Sequence, residues 1–80
     1  MQNSVDQQVI EFTATYTGVS VGDVHNSTTL ESLGIITKPD TFKYVVELED
    51  SFDLGYEQGD ENGIVTVGDA AAMITRKLDG

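Results

Sequence analysis

The chain has no cysteine, no tryptophan and a single proline. Without cysteine, disulfides, zinc–thiolate centres and iron–sulfur sites are excluded, and a reducing, cytoplasmic setting is the expectation. Positive charge is nearly as scarce: four Lys and Arg stand against fourteen Asp and Glu, a formal net charge of −10. That balance repels phosphate backbones and anionic lipid surfaces, so no nucleic-acid and no membrane partner is expected. It favours partners with basic docking patches. No apolar run approaches the ~18 residues of a membrane span. The opening residues MQNSVDQQVIEF lack the basic and apolar regions of a signal peptide.

What is present fits one small helical domain spanning residues 1–80. A chain of this length buries about 60–65% of its unfolded surface, too little to enclose a large active site. A non-enzymatic monomer is therefore expected. Ser4 and Gln7 have capping-box spacing, Val5, Val9, Phe12 and Tyr16 recur at helical steps, and Gly18 supplies a stop, predicting a helix from about residue 4 to 17. Thr13, Thr15 and Thr17 weaken it, since β-branched residues are poorer helix formers. Residues 18 to 37 read as a long loop pinned by Val19, Val24, Leu30, Leu33 and Ile35.

A second helix is predicted from Thr37, capped by Asp40, with Pro39 in its first turn and Gly55 at its end. Phe42, Val45, Leu48 and Phe52 form its apolar stripe, while Glu47, Glu49, Asp50 and Asp53 fall mostly outside it. The polar run 57–63 allows one short helical turn. Thr66 and Asp69 open a last helix with Val67, Ala70, Ala71, Ile74 and Leu78 inward, and Arg76 and Lys77 at the end where the helix dipole favours cations. The expected fold is all-α: a small antiparallel four-helix bundle of three long helices and one short, with a long loop between the first two.

Several segments, in order, carry a resemblance. Asn26-Ser27-Thr28-Thr29-Leu30 precedes Leu33-Gly34; Asp40 to Asp53 (DTFKYVVELEDSFD) follows; Thr66-Val67-Gly68-Asp69-Ala70 opens the last helix. Together they resemble the acyl and peptidyl carrier proteins over almost the whole chain. The resemblance implies a discrete carrier of fatty-acid, polyketide or nonribosomal-peptide biosynthesis. It also implies a 4′-phosphopantetheine arm on a serine at the start of the second helix. Its implied partners are a phosphopantetheinyl transferase and biosynthetic enzymes with basic patches that read the acidic second helix. Asp40, Lys43, Tyr44, Glu47, Glu49 and Asp50 are the residues of that helix expected to meet partners.

At the attachment site the sequence departs from the family. Where the family has Asp-Ser-Leu stand Thr37-Lys38-Pro39, and Ile35-Ile36 stands where one residue is usual. Lys38 falls on the serine, and an ammonium cannot replace a hydroxyl in forming a phosphodiester. Ser32, Thr37 and Thr41 are the nearby hydroxyls; Thr37 is expected to be spent as a cap, and Ser32 to lie in the loop. The alternative expectation is a module that is never loaded and docks on enzymes as an acidic surface. Other constellations are weaker. The lone His25 sits in a polar loop with no nucleophile pattern nearby. Asp50, Asp53, Glu57, Asp60 and Glu61 lack EF-hand spacing, so a solvated acidic face is expected and calcium binding is the lesser reading. Gly55, Gly59 and Gly63 are followed by no Lys-Ser/Thr, so they are not a phosphate cradle.

Overall fold

The computed structural model describes residues 4–80. Three helices carry the chain: α1 (Val5–Thr17), α2 (Lys38–Ser51) and α3 (Val67–Asp79). Single 3-10 turns at Val21–Asp23 and Glu31–Leu33 interrupt the long loop between α1 and α2. The fold is all-α and mostly helical, and no helix among the described residues is long and apolar enough to cross a membrane.

Local chemistry sets the helix starts. The Ser4 hydroxyl accepts from the Gln7 N–H at 3.1 Å, and Gly18 ends α1 in the left-handed region with φ 79°. Thr37 with Asp40, and Thr66 with Asp69, form complete capping boxes. The threonines of α1 are accommodated by back-bonding. Thr13 donates to the Val9 carbonyl at 2.7 Å and Thr17 to the Thr13 carbonyl at 2.8 Å, so their hydroxyls are satisfied inside the helix.

The long loop is held by side chains and by backbone. Val24, Leu30 and Ile35 are buried, and Val19 and Leu33 pack against the core. A single antiparallel bridge, Thr29 opposite Thr66, then ties the loop to the start of α3 through Leu30 N–H to Val65 O and Val67 N–H to Thr28 O, both 2.9 Å, and Gly68 N–H adds a bond to Asn26 O at 2.8 Å. Gly68 suits this approach, because a Cβ there would stand 3.0 Å from the Asn26 carbonyl oxygen and the loop would have to shift by a few tenths of an ångström.

Four sequence expectations are corrected. First, the buried face of α2 is Tyr44, Val45, Leu48 and Glu49, while Phe42 is 44% exposed. At 3.6 residues per turn the middle of that face lies between Val45 and Leu48, and Phe42 falls about 90° away from it. Second, α2 stops at Ser51. Asp53 adopts φ 58°, and the N–H groups of Asp53 and Leu54 reach back to Asp50 O and Glu49 O, closing the helix before Gly55 with Phe52 as a half-buried cap. Third, the run 57–63, expected to allow a short fourth helix, makes consecutive hydrogen-bonded turns instead, joining Asp60 to Glu57 and Asn62 to Gly59. Fourth, in α3 Met73 takes an inward place and Leu78 is 49% exposed, because the last turn runs past the core.

Candidate functional site

The start of α2 is built from Thr37, Lys38 and Pro39. Thr37 is committed to the backbone: its hydroxyl accepts from the Asp40 N–H at 3.2 Å, and the Asp40 carboxylate accepts from the Thr37 N–H at 3.3 Å. Hydrogen bonding to its carboxylate by Thr37, from the backbone N–H first and the side chain second, holds the Asp40 carboxyl below its ordinary range. The Thr41 hydroxyl donates to the Thr37 carbonyl at 3.2 Å. Lys38 is the first helical residue and is exposed. Ser32 lies on the 3-10 turn before Gly34, and its exposed hydroxyl donates to the Thr29 carbonyl at 2.7 Å. The residues here do not fit a phosphopantetheine attachment at the helix start, since Lys38 offers an ammonium and Thr37 a hydroxyl already engaged as a cap.

Beside Lys38 opens a cleft of about 400 Å³, walled by Ile36, Thr41, Glu61, Asn62, Gly63 and Ile64. A smaller one of about 170 Å³ continues from the shared Ile36, Thr41 and Ile64 towards Leu30, Glu31 and Val65. Ile36 and Val65, exposed by 65% and 61%, form apolar lips. The far wall is fixed by Tyr56, whose hydroxyl donates to the Glu61 carboxylate and whose ring meets Phe42 edge-on at 5.0 Å. That contact explains where Phe42 goes once it leaves the core stripe.

The six α2 residues expected to meet partners divide into two groups. Asp40, Lys43, Glu47 and Asp50 are exposed or nearly so, and their steps of three, four and three keep them on one outer stripe about 80° wide. Tyr44 is no part of that stripe. It is fully buried, its ring 6.0 Å from Phe12 and 5.5 Å from Tyr16. Since the Thr13 hydroxyl hydrogen goes to Val9 O, the Tyr44 hydroxyl is the donor in its 2.6 Å bond to Thr13. Burial pushes its phenol up to about 12.

Glu49 is likewise withdrawn from the surface, at 0% exposure. One of its carboxylate oxygens meets the Lys77 ammonium at 2.5 Å. The same ammonium donates to Asp60 at 2.6 Å and to the Gly55 carbonyl at 2.6 Å, with Glu57 at 3.7 Å. The sequence places Lys77 as a cation favoured by the helix dipole, and Asp60 in a solvated acidic face. Both instead serve a hub joining α2, α3 and the connection between them. The signal available in the sequence is position alone: Glu49 follows Val45 by four residues, and so shares its side of the helix. Among the described residues no group of three or more His, Cys, Asp or Glu side chains is set to hold a metal ion. His25 is exposed, and it is its backbone N–H, bonded to the Thr28 hydroxyl at 2.8 Å, that orders the turn.

No protein-family model matches this sequence, and neither does any curated protein.

Proposed function

We propose that this chain is a carrier-protein-like module of polyketide, nonribosomal-peptide or fatty-acid biosynthesis that acts without a prosthetic arm. On this reading it docks on a basic enzyme surface through the outer stripe of α2, and the turns at 57–63 stand in for the short helix of a four-helix carrier. The observation that carries the reading is the pairing of two features on one helix. Asp40, Glu47 and Asp50 line an exposed acidic stripe, and the helix that bears it begins with Lys38 where a carrier has its serine. Acidic side chains so placed steer encounter with a basic surface and contribute less as salt rises. The activity is non-enzymatic and the setting cytoplasmic.

A second reading, loading on a displaced hydroxyl, is favoured by the exposure of Ser32. Incubation with a phosphopantetheinyl transferase and coenzyme A, followed by intact mass measurement, separates the two. An unchanged mass is expected. A phosphopantetheine adduct on any residue would overturn the unloaded reading, and mapping it to Ser32 would establish the second. If Lys38-Pro39 is changed to Ser-Leu and loading then appears, the carrier resemblance gains direct support.

A further inference from the structure

Lys77 is one ammonium shared by two close carboxylates. Glu49 and Asp60 lie 2.5 and 2.6 Å from it, and Glu57 stands at 3.7 Å. With every group ionised, the two short pairs alone leave an excess negative charge beside a carboxylate that is shielded from solvent. The two carboxyls are not equivalent. Asp60 keeps 17% of its side chain exposed and accepts a second bond, from the Glu57 N–H at 2.9 Å, whereas Glu49 is wholly buried. The second oxygen of Glu49 is also buried and has no hydrogen-bond partner among the described residues. An ionised carboxylate in that position is penalised twice, by desolvation and by an unsatisfied oxygen. Taking up one proton makes Glu49 neutral and leaves Lys77 and Asp60 as a balanced pair.

We propose that Glu49, Lys77 and Asp60 form a proton-operated clasp that closes the 55–63 connection onto α2 and α3 when Glu49 is protonated and loosens it when Glu49 ionises. The clasp acts on one wall of the cleft beside Lys38. Lys77 grips Gly55 and Asp60, and the same connection supplies Glu61, Asn62, Gly63 and Ile64 to the cleft beside Lys38. The groups acting on Glu49 are Asp60 from the connection and Lys77 from α3; α1 contributes none of them. Burial first, and then the neighbouring Asp60 carboxyl, raise Glu49 to about 7, against the opposing pull of Lys77. Burial alone would raise Asp60, but the Glu49 carboxyl and the Lys77 ammonium beside it outweigh that burial and hold it below its ordinary value. A carboxyl raised in the folded state adds stability that is complete below its unfolded value and is lost as pH climbs through the folded one. The clasp therefore loosens as pH rises through about 7. It does not depend on what, if anything, occupies the cleft.

The test reads backbone hydrogen exchange of residues 55–63 in the intact chain at pH 6 and pH 8.5, corrected for the intrinsic pH dependence of exchange. With Glu49 near 7 closed and near 4.5 open, the opening equilibrium of the native connection should rise about tenfold between the two conditions. Glu49→Gln, which holds the neutral shape, should open to the same extent at both. An unchanged opening in the native chain, or a pH dependence that persists in Glu49→Gln, overturns the clasp. Should the variant fail to fold, a carbon-13 NMR titration of the native Glu49 carboxyl decides alone. A midpoint well above those of exposed glutamates supports the proposal, and one among them refutes it.

Discussion

Glu47 and Glu49 are two residues apart on α2. Glu47 stands on the outer stripe in water, while Glu49 is sealed against Lys77 at 2.5 Å. The same comparison holds for the cations of the chain: Lys43 is exposed between Asp40 and Glu47, and Lys77 is drawn into a three-element junction. The lesson is that the high acidity of this sequence is spent in two ways. The outer carboxylates set a long-range field and contribute little to stability. The inner one joins the ends of α2 and α3 to a connection that has few apolar residues of its own to bury. Counting acids along the helix cannot separate these roles, because two residues turn a side chain about 200° around the axis.

The sharpest way to break the comparison is to remove the inner cation. Lys77→Met should cost about 3–5 kcal/mol at pH 8, since it strands a buried carboxylate with Asp60 beside it. The cost should shrink at pH 6, where Glu49 escapes by taking a proton. Urea unfolding at the two values reads both magnitude and sign. A loss below about 0.5 kcal/mol at pH 8, as ordinary surface substitutions show, would mean that the hub is no different from the outer stripe.

A second test separates burial from charge. Tyr44, expected at a docking surface, is instead a buried link from α2 to α1. Tyr44→Phe keeps the ring packing and deletes one hydrogen bond, so it should cost about 1–1.5 kcal/mol. The loss is capped because Thr13 retains its bond to Val9 O. Circular dichroism melts of native and variant chains would check it. A Tyr44→Phe chain as stable as the native one, with altered binding to an enzyme partner, would return Tyr44 to the docking surface.

What can be read from the sequence follows the range of the interactions. Ser4, Thr37 with Asp40, and Thr66 with Asp69 announce their helix starts because a cap is settled within four residues. The pinning of the long loop by Val24, Leu30 and Ile35 is legible as apolar residues in a polar stretch. The end of α2 is not, since Asp53 adopts the conformation normally given to glycine, and Gly55 nearby offers a more conventional stop. Phe42 looks inward because the spacing from Phe42 to Val45 suits a helix stripe, yet its ring is claimed by Tyr56 across the connection. Glu49 escapes notice for the same reason at longer range. Its partner lies 28 positions away, and nothing local marks a glutamate for burial. At the candidate site, Lys38 and the capped Thr37 are readable directly, whereas the cleft walled by residues 61–64 exists only through tertiary packing.

The smallest expected effect bears on the outer stripe itself. Lys43 sits one helical turn from both Asp40 and Glu47, so Lys43→Glu exchanges favourable neighbours for like charges and should cost stability only about 0.3–0.5 kcal/mol. Its consequence for docking should run the other way. With that substitution the stripe from Asp40 through Glu47 to Asp50 presents uninterrupted negative charge to a basic surface, and such a change acts mainly on encounter rate and salt dependence. Binding of the chain to a phosphopantetheinyl transferase, followed from about 0.05 to about 0.5 M salt, should therefore be tighter for Lys43→Glu at low salt and converge with the native chain at high salt, where screening shortens the field to a few ångströms. Weaker binding of the variant at low salt, or an affinity indifferent to salt in both chains, would show that partners do not read this stripe and would move the search for the docking surface to the apolar lips at Ile36 and Val65.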